Sequence, residues 1–127
     1  MSQWESLQMD VKIHGILDVE SRTPDHHFGR PFLTPYQIAI AFRERYPEEF
    51  RQIGKPVGGR GTGQHDSLAQ YIALELSRRI RADQLTNVEG RFLHRRYLRT
   101  LQYEDVGDLI ESSLMRDFDL SMFRRLD

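Results

Sequence analysis

Residues 33–54, "LTPYQIAIAFRERYPEEFRQIG", hold the clearest helix start in the chain. Thr34 suits an N-cap, Pro35 fits the first helical position, and Gln37 stands where a capping box needs its amide. Leu33 and Ile38 occupy the two positions of a hydrophobic staple. Pro35, Ile38, Ala39, Phe42 and Tyr46 then share one side, which predicts a helix to about Tyr46. Pro47 either ends it or starts a short continuation, "EEFRQI", that Gly54 can terminate.

Working outward toward the C-terminus, "GKPVGGRGTGQHDS" (54–67) is rich in glycine and opens a second helix. Asp66 or Ser67 can cap it, and Ser67 with Gln70 repeats the capping-box spacing. Leu68, Ile72, Leu76 and Ile80 recur every four residues with Ala69 and Ala73 beside them, an amphipathic pattern. Arg78, Arg79 and Arg81 fall where cations favour the helix dipole. Toward the N-terminus, Leu7, Met9, Val11 and Ile13 alternate with Gln8, Asp10, Lys12 and His14, so residues 7–19 read as a half-buried strand interrupted by Gly15. "SRTPDHHFGRPF" reads as a loop. Beyond the second helix, Phe92 to Tyr103 fits a strand or a helix: Leu93, Tyr97 and Leu101 have helical spacing, while the aromatics and a turn at Asn87 and Gly90 favour a hairpin. A final helix is expected from about Glu104. Glu104, Asp105 and Asp108 would stand at its N-terminal end, and Val106, Leu109, Ile110 and Leu114 on its apolar face. Phe118, Leu120, Met122 and Phe123 should dock the tail. The expected fold is a single α+β domain over residues 1–127, mainly α-helical, with a compact helical core, an N-terminal strand and a basic hairpin.

The 127-residue chain has no cysteine, which excludes disulfides, thiolate metal sites and a cysteine nucleophile. "MSQWESLQMDVKIHG" lacks the basic start and apolar core of a secretory signal. The apolar run Ile38 to Phe42 falls far short of the ~20 residues that span a bilayer. A cytoplasmic protein is the expectation. Net charge is only −1, yet residues 51–100 carry +6 between a −3 and a −4 segment. Of the 18 basic residues only Lys12 and Lys55 are lysines. Arginine suits bidentate recognition of phosphate and carboxylate, although a skewed overall composition gives the same bias.

A glycine-rich loop that delivers backbone N–H groups to a helix N-terminus is an anion-site pattern. Lys55, Gly58, Gly59, Arg60, Gly61 and Gly63 are its candidate residues. The structural alternative is that the glycines serve close packing and positive φ. The P-loop is excluded, because Gly59 is followed by Arg60 and Gly61 rather than by Lys and then Ser or Thr. The dinucleotide fingerprint would need glycine at Gln64, and the nucleophile elbow would need it at His65 and Ala69, on either side of Ser67. His26 and His27, beside Asp25, have metal-ligand chemistry, but adjacent histidines on an extended chain point to opposite faces. His14, His65 and His94 add no HExxH pattern. Asp105 and Asp108 read as helix-start charges. Tyr36, Tyr46, Tyr71, Tyr97 and Phe92 read first as core and rim, and otherwise as stacking partners for bases.

Two helices followed by a basic segment, "GRFLHRRYLRT", resemble the general plan of winged-helix DNA-binding domains. The chain departs from that plan at its connection, which spans Gly54 to Asp66 where a helix-turn-helix uses about 3–4 residues. The leading expectation is a non-catalytic domain that binds nucleic acid or another polyanion, with no cofactor and no metal. Arg78, Arg79, Arg91, Arg95, Arg96 and Arg99 would extend the positive surface. The alternative is a protein-interaction domain, including a homodimer that pairs the basic and acidic segments. A small-molecule-binding protein or enzyme using the glycine loop and the histidines stands third.

Overall fold

The structure, a computed structural model, describes residues 2–59, 66–105, 108–111 and 119–127. Among them are five helices: α1 (Gln3–Ser6), α2 (Met9–Ile16), α3 (Pro35–Arg45), α4 (Pro47–Ile53) and α5 (Leu68–Arg81). Four strands follow: β1 (Val88–Leu93), β2 (Gln102–Asp105), β3 (Asp108–Glu111) and β4 (Leu120–Arg125). The fold is mainly helical α+β.

The central helices form where local signals place them. Thr34 accepts from the Gln37 N–H, and the Gln37 side chain accepts from the Thr34 N–H at 2.7 Å, so both halves of the capping box are made. Pro47 starts α4, and Gly54 ends it in the left-handed conformation at φ 70°. Ser67 caps α5 by accepting from the Gln70 N–H at 3.1 Å. Ile38, Ala39 and Phe42 of α3 join Leu68, Ala69, Ile72 and Leu76 of α5 in one buried cluster.

The N-terminal segment is helical, contrary to the strand expected over residues 7–19. Met9, Ile13, Ile16 and Leu17 are all buried, at the i, i+4, i+7, i+8 spacing of a helix, while Val11 is 71% exposed. A strand would have buried Val11 with Met9 and Ile13. The short alternation was therefore a fragment of a longer helical stripe. Trp4 precedes it, fully buried, with its indole N–H donating to Asp10 Oδ1 at 2.7 Å.

Among the described residues the C-terminal third is β rather than helical; Val106 and Leu114 of the expected helix lie outside them. β1 pairs antiparallel with β4, Val88 opposite Arg125 through Leu93 opposite Leu120. On the other side of β4, Leu33 and Phe123 exchange backbone hydrogen bonds at 2.8 Å, tying the start of α3 to the sheet. β2 pairs with β3 as a hairpin where a helix from Glu104 was expected. Tyr103 stacks on Tyr36 of α3 (5.2 Å, 24°), and Ile110 packs on the core. These tertiary contacts select the strand, since an isolated two-stranded hairpin is at best marginally stable. The expected basic hairpin is also re-paired: "GRFL" belongs to β1, but its partner is the distant β4. Gly90 permits this docking. A Cβ there would lie 3.2 Å from the Phe123 ring and 3.8 Å from Ile80. Leu120 and Phe123 are buried and Met122 is partly buried, so this end of the tail docks as expected; Phe118 lies outside the described residues.

Candidate functional site

Of the expected anion loop, Lys55, Gly58 and Gly59 lie within the described residues; Arg60, Gly61 and Gly63 lie outside them. The described half does not offer the start of α5 to an anion. The Leu68 N–H donates to the Pro56 carbonyl at 2.7 Å, the Ala69 N–H to the Val57 carbonyl at 2.9 Å, and the Gln70 N–H to Ser67 Oγ. The amides that would hold a phosphate are thus engaged by the chain itself. Gly58 and Gly59 sit at φ +127° and +104°, where L side chains are strained. A Cβ on Gly58 would come within 2.9 Å of Ser67 Oγ; one on Gly59 would come within 2.6 Å of the Glu111 carbonyl oxygen. Both glycines let the chain pass between the start of α5 and β3. Lys55 is ion-paired with Asp66, its ammonium 6.0 Å from the Tyr71 ring centre.

The six surface arginines separate into different environments. Arg79 is only 7% exposed. Its guanidinium lies 3.3 Å from Glu75, 4.0 Å from Glu5 and 5.5 Å from the Trp4 ring centre. It is a packed residue closing the core, which removes it from an open binding face. Arg78 is exposed and shares Glu75 at 2.6 Å. Arg91 pairs with Glu89 at 2.5 Å and bonds the Gly90 carbonyl. Arg95 holds Asp119 at 3.0 Å and also donates to it through its backbone N–H. That backbone bond is the largest reason the Asp119 carboxyl titrates below its ordinary range. Arg96 and Arg99 are exposed, and among the described residues neither has a carboxylate within ion-pair reach; the Arg96 guanidinium stands 5.0 Å from the Tyr97 ring centre.

The aromatics divide just as sharply. Tyr36, Tyr46 and Tyr71 pack against the core. Phe92 is 72% exposed and Tyr97 91% exposed. Tyr97 also has φ +68°, an uncommon backbone for a bulky side chain. The turn that fixes it is hydrogen-bonded on each side, Leu98 N–H to the Arg95 carbonyl (3.0 Å) and Arg96 N–H to His94 Nδ1 (2.9 Å). Residues 91–99 therefore present Arg91, Phe92, Arg95, Arg96, Tyr97 and Arg99 from one strand end and the turn after it. Sequence supplied the cations; it did not separate these two aromatics from the packed tyrosines.

The histidines and acids do other work. His26 and His27 stack at 4.3 Å rather than diverging, because the chain turns there with Asp25 at φ 61°. Among the described residues, three metal-ligating side chains nowhere come together. His14 pairs with Asp127 at 2.8 Å. Asp105, expected as a helix-start charge, is instead buried at the end of β2 and bound by Arg43 of α3. Arg124 anchors the loop before α3: it pairs with Glu89 at 2.7 Å and lies 4.7 Å from the Phe32 ring centre. No helix among the described residues is long and apolar enough to cross a membrane. Compared with known proteins, the chain matches no protein-family model, no curated protein and no solved structure.

Proposed function

We propose that the protein is a non-catalytic nucleic-acid-binding domain whose contact surface centres on residues 91–99. The observation that carries this reading is the exposed run "RFLHRRYLR", which holds four arginines and no carboxylate. Arg96 and Arg99 are free of ion pairs among the described residues. The Arg91 and Arg95 side chains are themselves exposed, and exposed ion pairs are weak enough to yield to a phosphate. Arg78 and Arg81 at the exposed end of α5 extend the positive charge. On this reading the glycine loop shapes the fold, and the protein acts in the cytoplasm without a cofactor. Binding of a labelled oligonucleotide at several salt concentrations tests it. Four phosphate contacts predict a log–log salt slope of roughly −3 to −4. Absence of binding at low salt would refute the reading.

One observation favours a second reading, a protein contact through α5. Leu74 is 60% exposed and borders a shallow depression of about 560 Å³ lined also by Glu75, Ser77, Arg78, Arg81 and Ala82. A second copy of this chain is the simplest partner, given the opposed charges of its segments. Light scattering over a dilution series tests it, and a monomer throughout the micromolar range would reject the homodimer.

A further inference from the structure

We infer that the surface formed by residues 91–99 takes single-stranded rather than duplex nucleic acid, with Phe92 and Tyr97 as stacking platforms for unpaired bases. The inference rests on the nucleic-acid reading above and adds the form of the ligand to it. Two large aromatic rings stand in solvent within six residues, with Arg95 and Arg96 between them and Arg91 and Arg99 on either side. Isolated exposed apolar side chains are ordinary; rings alternating with cations on one short stretch are the arrangement that single-strand grooves use. In a duplex the base faces are stacked on one another, and a protein reads edges and phosphates instead. The rings on this surface would then have nothing to cover.

The backbone supports the same conclusion. Tyr97 adopts a left-handed conformation that costs energy for a bulky residue, yet its ring is turned outward and gains no burial from it. Arg95 secures the turn, through its backbone N–H on Asp119 and its carbonyl on the Leu98 N–H. The Arg96 guanidinium lies against the Tyr97 ring, 5.0 Å from its centre, so a phosphate and a base would meet cation and ring side by side. Phe92 closes the other end of the tract, at most about 18 Å away along the chain. That separation is within the span of a short run of nucleotides.

The experiment compares one fluorescein-labelled 20-mer as a single strand and as a duplex, against the wild-type protein, Phe92→Ala, Tyr97→Ala and Arg99→Ala. Both aromatics are exposed, so their variants should fold normally, which circular dichroism and thermal melting check. The expected result is tighter binding of the single strand, with each aromatic substitution weakening it about 5- to 150-fold. Duplex binding and the salt slope should change little in those variants. Arg99→Ala should weaken both forms and lower the slope by roughly one contact. Equal binding of both forms, unaffected by the loss of either ring, would overturn the inference while leaving the nucleic-acid reading intact. Failure to bind either form would overturn both.

Discussion

Alanine substituted for two glycines should move stability in opposite directions. At Gly59 the new Cβ would lie 2.6 Å from the Glu111 carbonyl oxygen and 2.8 Å from Ile110 Cγ2, and φ is +104°. The nearer obstacle is backbone of β3, so relief requires moving the strand or the loop. Holding an L residue at such a φ costs about 1–3 kcal/mol, and overpacking adds about 1–3 kcal/mol. Gly59→Ala should therefore destabilise by roughly 2–6 kcal/mol. At Gly15, inside α2, an added Cβ meets nothing within 4 Å. Removing glycine there restricts the unfolded chain and improves helix propensity, so Gly15→Ala should stabilise by about 0.4–1 kcal/mol. Urea unfolding followed by circular dichroism reads both, as midpoint shifts at constant slope. Equal stability of Gly59→Ala and wild type would refute the packing account of the glycine segment and return those residues to consideration as a ligand loop. Destabilisation by Gly15→Ala would show that α2 is packed more closely on that side than described.

Arg79→Ala should cost about 2–3 kcal/mol, because it empties a packed site, removes one of the two arginines on Glu75 and takes the cation from the Trp4 face; Arg99→Ala, exposed and unpaired among the described residues, should stay within about 0.5 kcal/mol of wild type. Paired melting curves check this, and an Arg79→Ala protein of normal stability would refute its packed role. Tyr103 and Tyr71 both titrate above the ordinary phenol range of about 10, chiefly through burial. Raised folded-state values mean that their contribution is complete below the unfolded pKa and is lost as pH rises through the folded one. Stability should accordingly decline above about pH 10, and Tyr103→Phe should flatten that decline; an unchanged alkaline profile would contradict it.

Legibility in the sequence followed the range over which each element is decided. The helices α3, α4 and α5 carry their own boundaries: Thr34 with Gln37, Pro47, Gly54 and Ser67 act within one turn, and the structure uses each of them in place. The β elements are decided at a distance. Val88 meets Arg125, and Asp105 finds Arg43 on a helix 62 residues earlier, so acids that imitate a helix start are committed elsewhere. Arg79 was legible in part. It follows Leu68, Ile72 and Leu76 at i+11, i+7 and i+3, so the stripe that buries those side chains passes beneath it. Among consecutive arginines only that phase distinguishes the packed one from its neighbours. The aromatics are the converse case, because no local period separates Tyr71, on the core, from Tyr97, in solvent. What separates them is the turn of residues 94–98, where Tyr97 takes a positive φ and faces outward. The residues that best distinguish a single-strand surface from a merely basic one are thus those whose orientation depends on tertiary structure. The arginines supply attraction that any polyanion would feel, and the two exposed rings are what would make this surface choose among polyanions.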